Sequence, residues 1–192
     1  MFVGSLIVTG WRKNIMTSCI SKLILSFISI LSAHTGKDFL FLRKSTLMDN
    51  YIKTLDIRWS DLDPNFHVLH SKYYDFGAYC RMAFLQDAGI TPDLMRKNHI
   101  GPILFREECF FKKELLFGEK ISISLVLTKR SENYSRWSME HEIHKKDGVL
   151  AARIVIDAAW MDTAHRKLTI PSPEIISLLD IVPKSPSFHI GT

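Results

Sequence analysis

The stretch from Arg58 to Gly89, RWSDLDPNFHVLHSKYYDFGAYCRMAFLQDAG, runs an acidic, histidine-bearing turn straight into a patterned helix. Tyr73, Tyr74, Phe76, Gly77, Cys80, Ala83, Phe84 and Ala88 recur three and four residues apart, the spacing that puts apolar side chains on one helical face. Ser71 suits an N-cap, and Gly89 followed by Thr91-Pro92 suits a stop. The spacing predicts a helix over residues 72–88, roughly 25 Å long at 1.5 Å per residue. A helix of that length with one apolar face requires a large partner surface, so the rest of the chain must supply it.

It does so with strands. Leu55, Ile57 and Trp59 alternate with Asp56 and Arg58 ahead of the turn, which predicts a strand with one dry face. Thr91-Pro92-Asp93 predicts a short second helix to about residue 97. Residues 103–116 then read as a strand. The alternation of Ile121, Ile123, Leu125 and Leu127, and of Trp137, Met139, His141 and Ile143, predicts two more half-buried strands. Asp147-Gly148 suits a type I′ hairpin. The strand that leaves it, residues 149–161, is apolar on both faces and belongs in the middle of a sheet or against a partner subunit. Ser172-Pro173 starts a short capping helix carrying Ile175, Ile176, Leu178 and Leu179. The expected class is α+β, one antiparallel sheet around one long helix.

Charge and cysteine usage narrow the function. A formal charge of +5, with Lys and Arg interspersed among acids, gives no run suited to nucleic acid. Cys19, Cys80 and Cys109 are widely spaced without a CxxC pair, which argues against a disulfide framework or zinc site and fits a reducing, cytoplasmic setting. Residues 1–47 differ in character: no Asp or Glu occurs before Asp38, and Leu23 to Leu31 forms an apolar run too short for a span of about 20 residues. They read as an extension, a signal or transit segment or a misplaced start, with the folded domain occupying residues 48–192. Membrane association is expected only if that extension belongs to the working protein.

The order of elements and the turn together resemble the hot-dog fold, and within it the hydroxybenzoyl-CoA thioesterase type of acyl-CoA thioesterases. The likeness spans residues 51–171. Its most specific part is Ile57-Arg58-Trp59-Ser60-Asp61-Leu62-Asp63-Pro64-Asn65-Phe66-His67-Val68-Leu69-His70 before a Tyr-rich helix start, and Leu116-Phe117-Gly118-Glu119 is similar to the family's aromatic-Gly-acid corner. The resemblance implies that Asp63, the second Asp of Asp-x-Asp, is the catalytic carboxylate and that His70 assists. It implies a homodimer or homotetramer with pockets built by two subunits, and no cofactor beyond the coenzyme A of the substrate. The sequence departs from some relatives in having Leu69-His70 where paired asparagines stand, and Lys113-Glu114 where Arg-Pro is frequent.

The residues carry this chemistry on their own terms. Thioester hydrolysis needs a nucleophile or a base for water, and donors aimed at the oxygen that becomes negative. The unpaired N–H groups at the helix start, around His70, Ser71 and Lys72, are such donors, and the helix dipole strengthens them. Asp63 either attacks directly or activates water. His67, Ser71, Tyr73 and Tyr74 are the candidate substrate-binding residues, the two tyrosines also being candidates for core packing. In an arbitrary turn, aspartates before a helix are more often turn formers than catalysts; here Asp61 reads as structural and Asp63 as functional. His67 and His70 lack a third ligand, so no metal site is expected. His141 and His144 lie on opposite strand faces. Lys112, Lys113, Lys129 and Arg130 are candidates for the phosphates of coenzyme A. Two other classes stay open: a hydratase or dehydratase on the same fold, whose motif Asp63-Pro64-Asn65-Phe66-His67 scrambles, and a non-catalytic domain that binds acyl-CoA or protein.

Overall fold

The alternating strands and the patterned helix bury their apolar sides against each other in the computed structural model, which describes residues 50–191. The chain order is β1 (Tyr51–Asp56), a short 3-10 turn (Trp59–Asp61), α1 (His70–Asp87), α2 (Pro92–Lys97), β2 (Ile100–Phe111), β3 (Lys120–Ser131), β4 (Arg136–Lys145), β5 (Leu150–Asp162), β6 (Lys167–Leu168), α3 (Pro173–Leu179) and β7 (Lys184–Gly191). The main path through the sheet is β1-β3-β4-β5-β2, antiparallel throughout. It curls around α1 as a hot-dog fold. The expected extension at residues 1–47 lies outside the described residues. Among the described residues no helix is long and apolar enough to cross a membrane.

Period-two patterning decides which strand residues meet the helix. Ile121, Ile123, Leu125 and Leu127 of β3, Met139 and Ile143 of β4, and Ile154, Ile156 and Trp160 of β5 are buried with Tyr73, Phe76, Cys80 and Phe84 of α1. Each such side chain contributes about 1.5–3 kcal/mol by leaving water. Gly77 lets helix and sheet close up, because a Cβ there would lie 3.2 Å from both Arg81 Nη1 and Ile154 Cδ1.

Several expectations shift. α1 begins at His70, with Leu69 as its N-cap and no side-chain cap, so Ser71 sits inside the first turn and does not cap it. Arg81 and Leu85 are buried where the apolar pattern favoured Ala83 and Tyr74, which are only half-buried. β2 starts three residues earlier than the pattern suggested and takes in Pro102; as the outermost strand of the path it has one side where a missing N–H costs nothing. The 146–148 turn is not type I′. Gly148 takes φ +84° while Asp147 keeps negative φ, and Gly148 N–H donates to Lys145 C=O at 2.9 Å, a type I turn closed by a left-handed glycine. β5 lies between β4 and β2 as its two apolar faces required, and α3 forms with Ser172 as its N-cap, the hydroxyl accepting the Ile175 N–H. β6 and the parallel pairing of β7 with β3 were not anticipated; β7 carries Pro186 and few apolar residues.

Candidate active site

The site begins where β1 ends. Asp61 is buried at 1% exposure, and its Oδ2 accepts the Arg58 backbone N–H at 2.9 Å. Leu69 N–H donates to Asp61 C=O at 2.9 Å, and Leu62 bridges Val68, so the intervening residues form a small hairpin with Pro64 at its tip. Val68 N–H donates to Leu115 C=O at 2.8 Å and His67 bridges Leu116, which ties the hairpin to the segment between β2 and β3. Asp61 is thus buried and its Oδ2 is held on the backbone of the turn.

Asp63 sits in the hairpin itself. Its N–H donates to His67 C=O at 2.8 Å, and its Oδ1 accepts the N–H groups of Asn65 at 2.8 Å and His67 at 3.3 Å. These bonds fix the carboxyl group in one orientation, while Oδ2 takes no hydrogen bond from the described residues. Phe66 adopts φ +64°, a left-handed conformation costly for an aromatic residue, and its ring lies in solvent against Trp59 at 6.3 Å.

This local folding brings Asp63, His67, His70 and Tyr73 onto one open recess, completed by Val68, Phe111, Lys112, Lys113 and Glu114. Ser71 and Tyr74 lie near the start of α1 but do not line it. Lys72 N–H is already paired with Leu69 C=O at 2.8 Å, so His70 and Ser71 are the residues whose N–H groups lack an acceptor one turn back. Tyr73 is buried edge-on to Phe111 at 5.0 Å, and burial pushes its phenol up to about 12, so it stays a hydrogen-bond donor. Glu114 is held below the usual carboxylate range, first by its own backbone N–H and then by Lys145, His67 and Lys113.

Of the four candidate phosphate ligands, Lys112 and Lys113 stand at the recess, whereas Lys129 and Arg130 lie at the far end of β3. Phe111 and Glu114 were missed because their place depends on β2 stopping at Phe111, earlier than the apolar pattern indicated. Burial pushes Cys80 up to about 12 and Cys109 up to about 11, so neither is a ready nucleophile. His141 is fully buried and His144 is partly exposed, and neither reaches the recess.

Comparison with known proteins bears on the same segment. A family model described as the thioesterase-like superfamily matches residues 57–179. No curated protein matches. Among solved structures, a hypothetical protein from Staphylococcus aureus in complex with CoA aligns at TM-score 0.63 and 16% identity, covering 74% of this chain and 95% of that one. A DHNA-CoA thioesterase from Staphylococcus aureus aligns at TM-score 0.63 and 18% identity over 68% and 89% of the two chains. A 1,4-dihydroxy-2-naphthoyl-CoA thioesterase from Synechocystis aligns at TM-score 0.60 and 16% identity over 68% and 96%. At these identities the likeness is one of fold.

Proposed function

The chain belongs to the thioesterase-like superfamily, and from that premise we propose that it hydrolyses an acyl-CoA thioester to the free acid and coenzyme A, with Asp63 as the reacting carboxylate. One observation carries the reading: Asp63, with one carboxylate oxygen uncommitted, shares a recess with the first turn of α1 and its unpaired N–H groups. The thioester carbonyl oxygen points at the N–H groups of His70 and Ser71, which face the charge that develops as the carbonyl becomes tetrahedral. Donors of this kind contribute about 10²–10³ in rate each. Asp63 Oδ2 either attacks the carbonyl carbon or takes a proton from the attacking water. The tetrahedral intermediate then expels the thiolate without a strong acid; on the direct route this leaves a mixed anhydride on Asp63, which water cleaves to the free acid, restoring the carboxylate. His70 and His67 position water and the carbonyl from either side, and Tyr73 donates to the acyl end.

Lys112 and Lys113 support coenzyme A as the leaving group, because two cations beside the recess suit its phosphates. The outer edge of β2 supports a homodimer. Leu104, Phe105, Phe110 and Phe111 are exposed on that strand, and Phe111 also lines the recess, so a second copy joined along this edge would wall the site. The free thiols Cys80 and Cys109 accord with a reducing cytoplasm.

The test is release of coenzyme A thiol from a panel of short, long and aromatic acyl-CoAs. Turnover of at least one supports the reading. No thiol from any of them overturns it and directs attention to hydration of enoyl-CoA or plain ligand binding.

A further inference from the structure

Residues 112–119 join β2 to β3, and Lys112, Lys113 and Glu114 among them line the recess. The segment belongs to neither strand, so its place against Asp63 depends on local anchors. At its start Ala151 C=O accepts the N–H groups of Lys112 at 2.8 Å and Lys113 at 3.0 Å. In its middle Leu115 is fully buried, and its C=O accepts the Val68 N–H at 2.8 Å. Its far end is held by Glu119, the acid of the aromatic-Gly-acid corner, which has no part in the reaction described above.

Residues 116–119 make a tight turn, in which Glu119 N–H donates to Leu116 C=O at 3.2 Å and Gly118 takes φ +78°. The Glu119 side chain closes the same turn from the other direction, its Oε2 accepting the Leu116 N–H at 3.0 Å. Its Oε1 lies 2.9 Å from Nζ of Lys145, the last residue of β4. These two side chains are 30% and 19% exposed, so solvent screens the pair only in part. Glu119 C=O also accepts the Ile57 N–H at 2.9 Å, just past the end of β1. One residue therefore ties Leu116 to the ends of β1 and β4. Leu116 is in turn the residue that bridges His67. His67 donates its N–H to Asp63 Oδ1 at 3.3 Å, and its C=O accepts the Asp63 N–H at 2.8 Å. Contacts thus run without a gap from Lys145 through Glu119, Leu116 and His67 to Asp63.

We propose that Glu119 is a positioning residue for Asp63: its carboxylate holds the Leu116 corner in place, so that His67 keeps the Asp63 carboxyl group in its one orientation. The proposal rests on the reading of Asp63 as the reacting carboxylate. The bond that matters is the one to the Leu116 N–H, and the Lys145 ion pair braces it. Alanine removes both. Glutamine keeps an acceptor of the same reach for Leu116 and gives up only the brace. A reacting group that loses its alignment by about 1 Å costs up to about 10²-fold in rate while the substrate still binds, so the effect belongs in kcat.

The experiment compares Glu119→Ala and Glu119→Gln with the parent, in the full-length protein and at a temperature where melts show each to be folded. Heteronuclear NMR first reads the backbone amides of Asn65 and His67, the two donors to Asp63 Oδ1, with no substrate present. Glu119→Ala should move both resonances, and Glu119→Gln should leave them near their parent positions. On the acyl-CoA that the parent turns over fastest, Glu119→Ala should lower kcat at least about tenfold with KM within about threefold, and Glu119→Gln should stay within about threefold of the parent in both. If Glu119→Ala fails to fold, Glu119→Asp takes its place, since it keeps the charge on a stem one carbon shorter and loses the reach to Leu116. Unmoved amides in the alanine variant overturn the proposal, as does a glutamine variant no better than alanine. A rise in KM alone overturns it too, by making the corner a binding surface. A parent that releases no thiol overturns the hydrolase reading instead, and the amide resonances then decide by themselves whether Glu119 positions Asp63.

Discussion

Replacing Arg81 by Met should destabilise the protein more than any surface change, because Arg81 holds together a buried polar group under the middle of α1. Its Nη1 lies 2.9 Å from Glu107 Oε1, an ion pair whose geometry falls short of a hydrogen bond, and 3.3 Å from His141 Nε2. His141 Nδ1 is 2.8 Å from Ser124 C=O, so the ring proton sits on Nδ1 and Nε2 accepts from the guanidinium. Methionine keeps the length of the side chain and removes both interactions, leaving a carboxylate and a ring nitrogen without partners. Breaking a buried pair costs about 3–5 kcal/mol. The Glu107 side chain keeps 19% exposure, which lets water reach it and puts the cost near the lower end. A loss of about 3 kcal/mol shifts the folded-to-unfolded ratio more than 100-fold and lowers Tm by about 6–12 °C for a domain of this size. Urea unfolding at pH 7.5 and fixed protein concentration measures it. Arg81→Met combined with Glu107→Met should recover at least half of the loss, because removing both charges leaves none stranded. A single-variant loss under about 1 kcal/mol, or a double variant no better than the single, would refute the reasoning.

Stability should also fall in acid through His141, whose imidazole is held down to about 4 by burial first and by Arg81 second. Its folded value lies below the unfolded one near 6.5, so the contribution is complete above that pH and is lost as pH falls toward about 4, at up to about 1.4 kcal/mol per pH unit; urea unfolding between pH 7.5 and 4.5 should show this slope, and His141→Gln should flatten it. Gly77→Val should cost about 1–3 kcal/mol, since the added carbons meet Ile154 and Arg81 where even a Cβ is tight, and thermal unfolding reads it. Asp61→Ala should cost about 1–2 kcal/mol by freeing the Arg58 N–H, with circular dichroism following the melt. Tyr73→Phe should lower kcat/KM for acyl-CoA about fivefold, the value of one hydrogen bond of about 1 kcal/mol, with the melt nearly unchanged.

The parts of the fold set by short-range rules were legible. Alternation placed β3, β4 and β5, and the threefold and fourfold spacing placed α1 to within two residues. What failed depended on distant partners. The buried Arg81 is invisible to an apolar pattern, because its burial rests on Glu107 in β2 and His141 in β4. The end of β2 at Phe111 is set by Ala151 C=O, which captures the N–H groups of both Lys112 and Lys113 and turns the chain away. At the site, the hairpin that gathers Asp63, His67, His70 and Tyr73 was readable from the turn and the family likeness. Of the opposite wall, Lys112 and Lys113 were named as candidate phosphate ligands, but Phe111 and Glu114 were not, since they reach the recess through the pairing of Val68 with Leu115 and of His67 with Leu116.

The most direct measurement compares the parent with Asp63→Asn on the acyl-CoA that the parent turns over fastest, after matching melts show both to be folded. Asparagine keeps the acceptor for the Asn65 and His67 N–H groups and removes the charge. The account predicts a fall in kcat of at least about 10²-fold with KM changed little, the mark of a group that acts in the transition state. A folded variant that retains most of the parent's rate would show that the reacting carboxylate lies elsewhere.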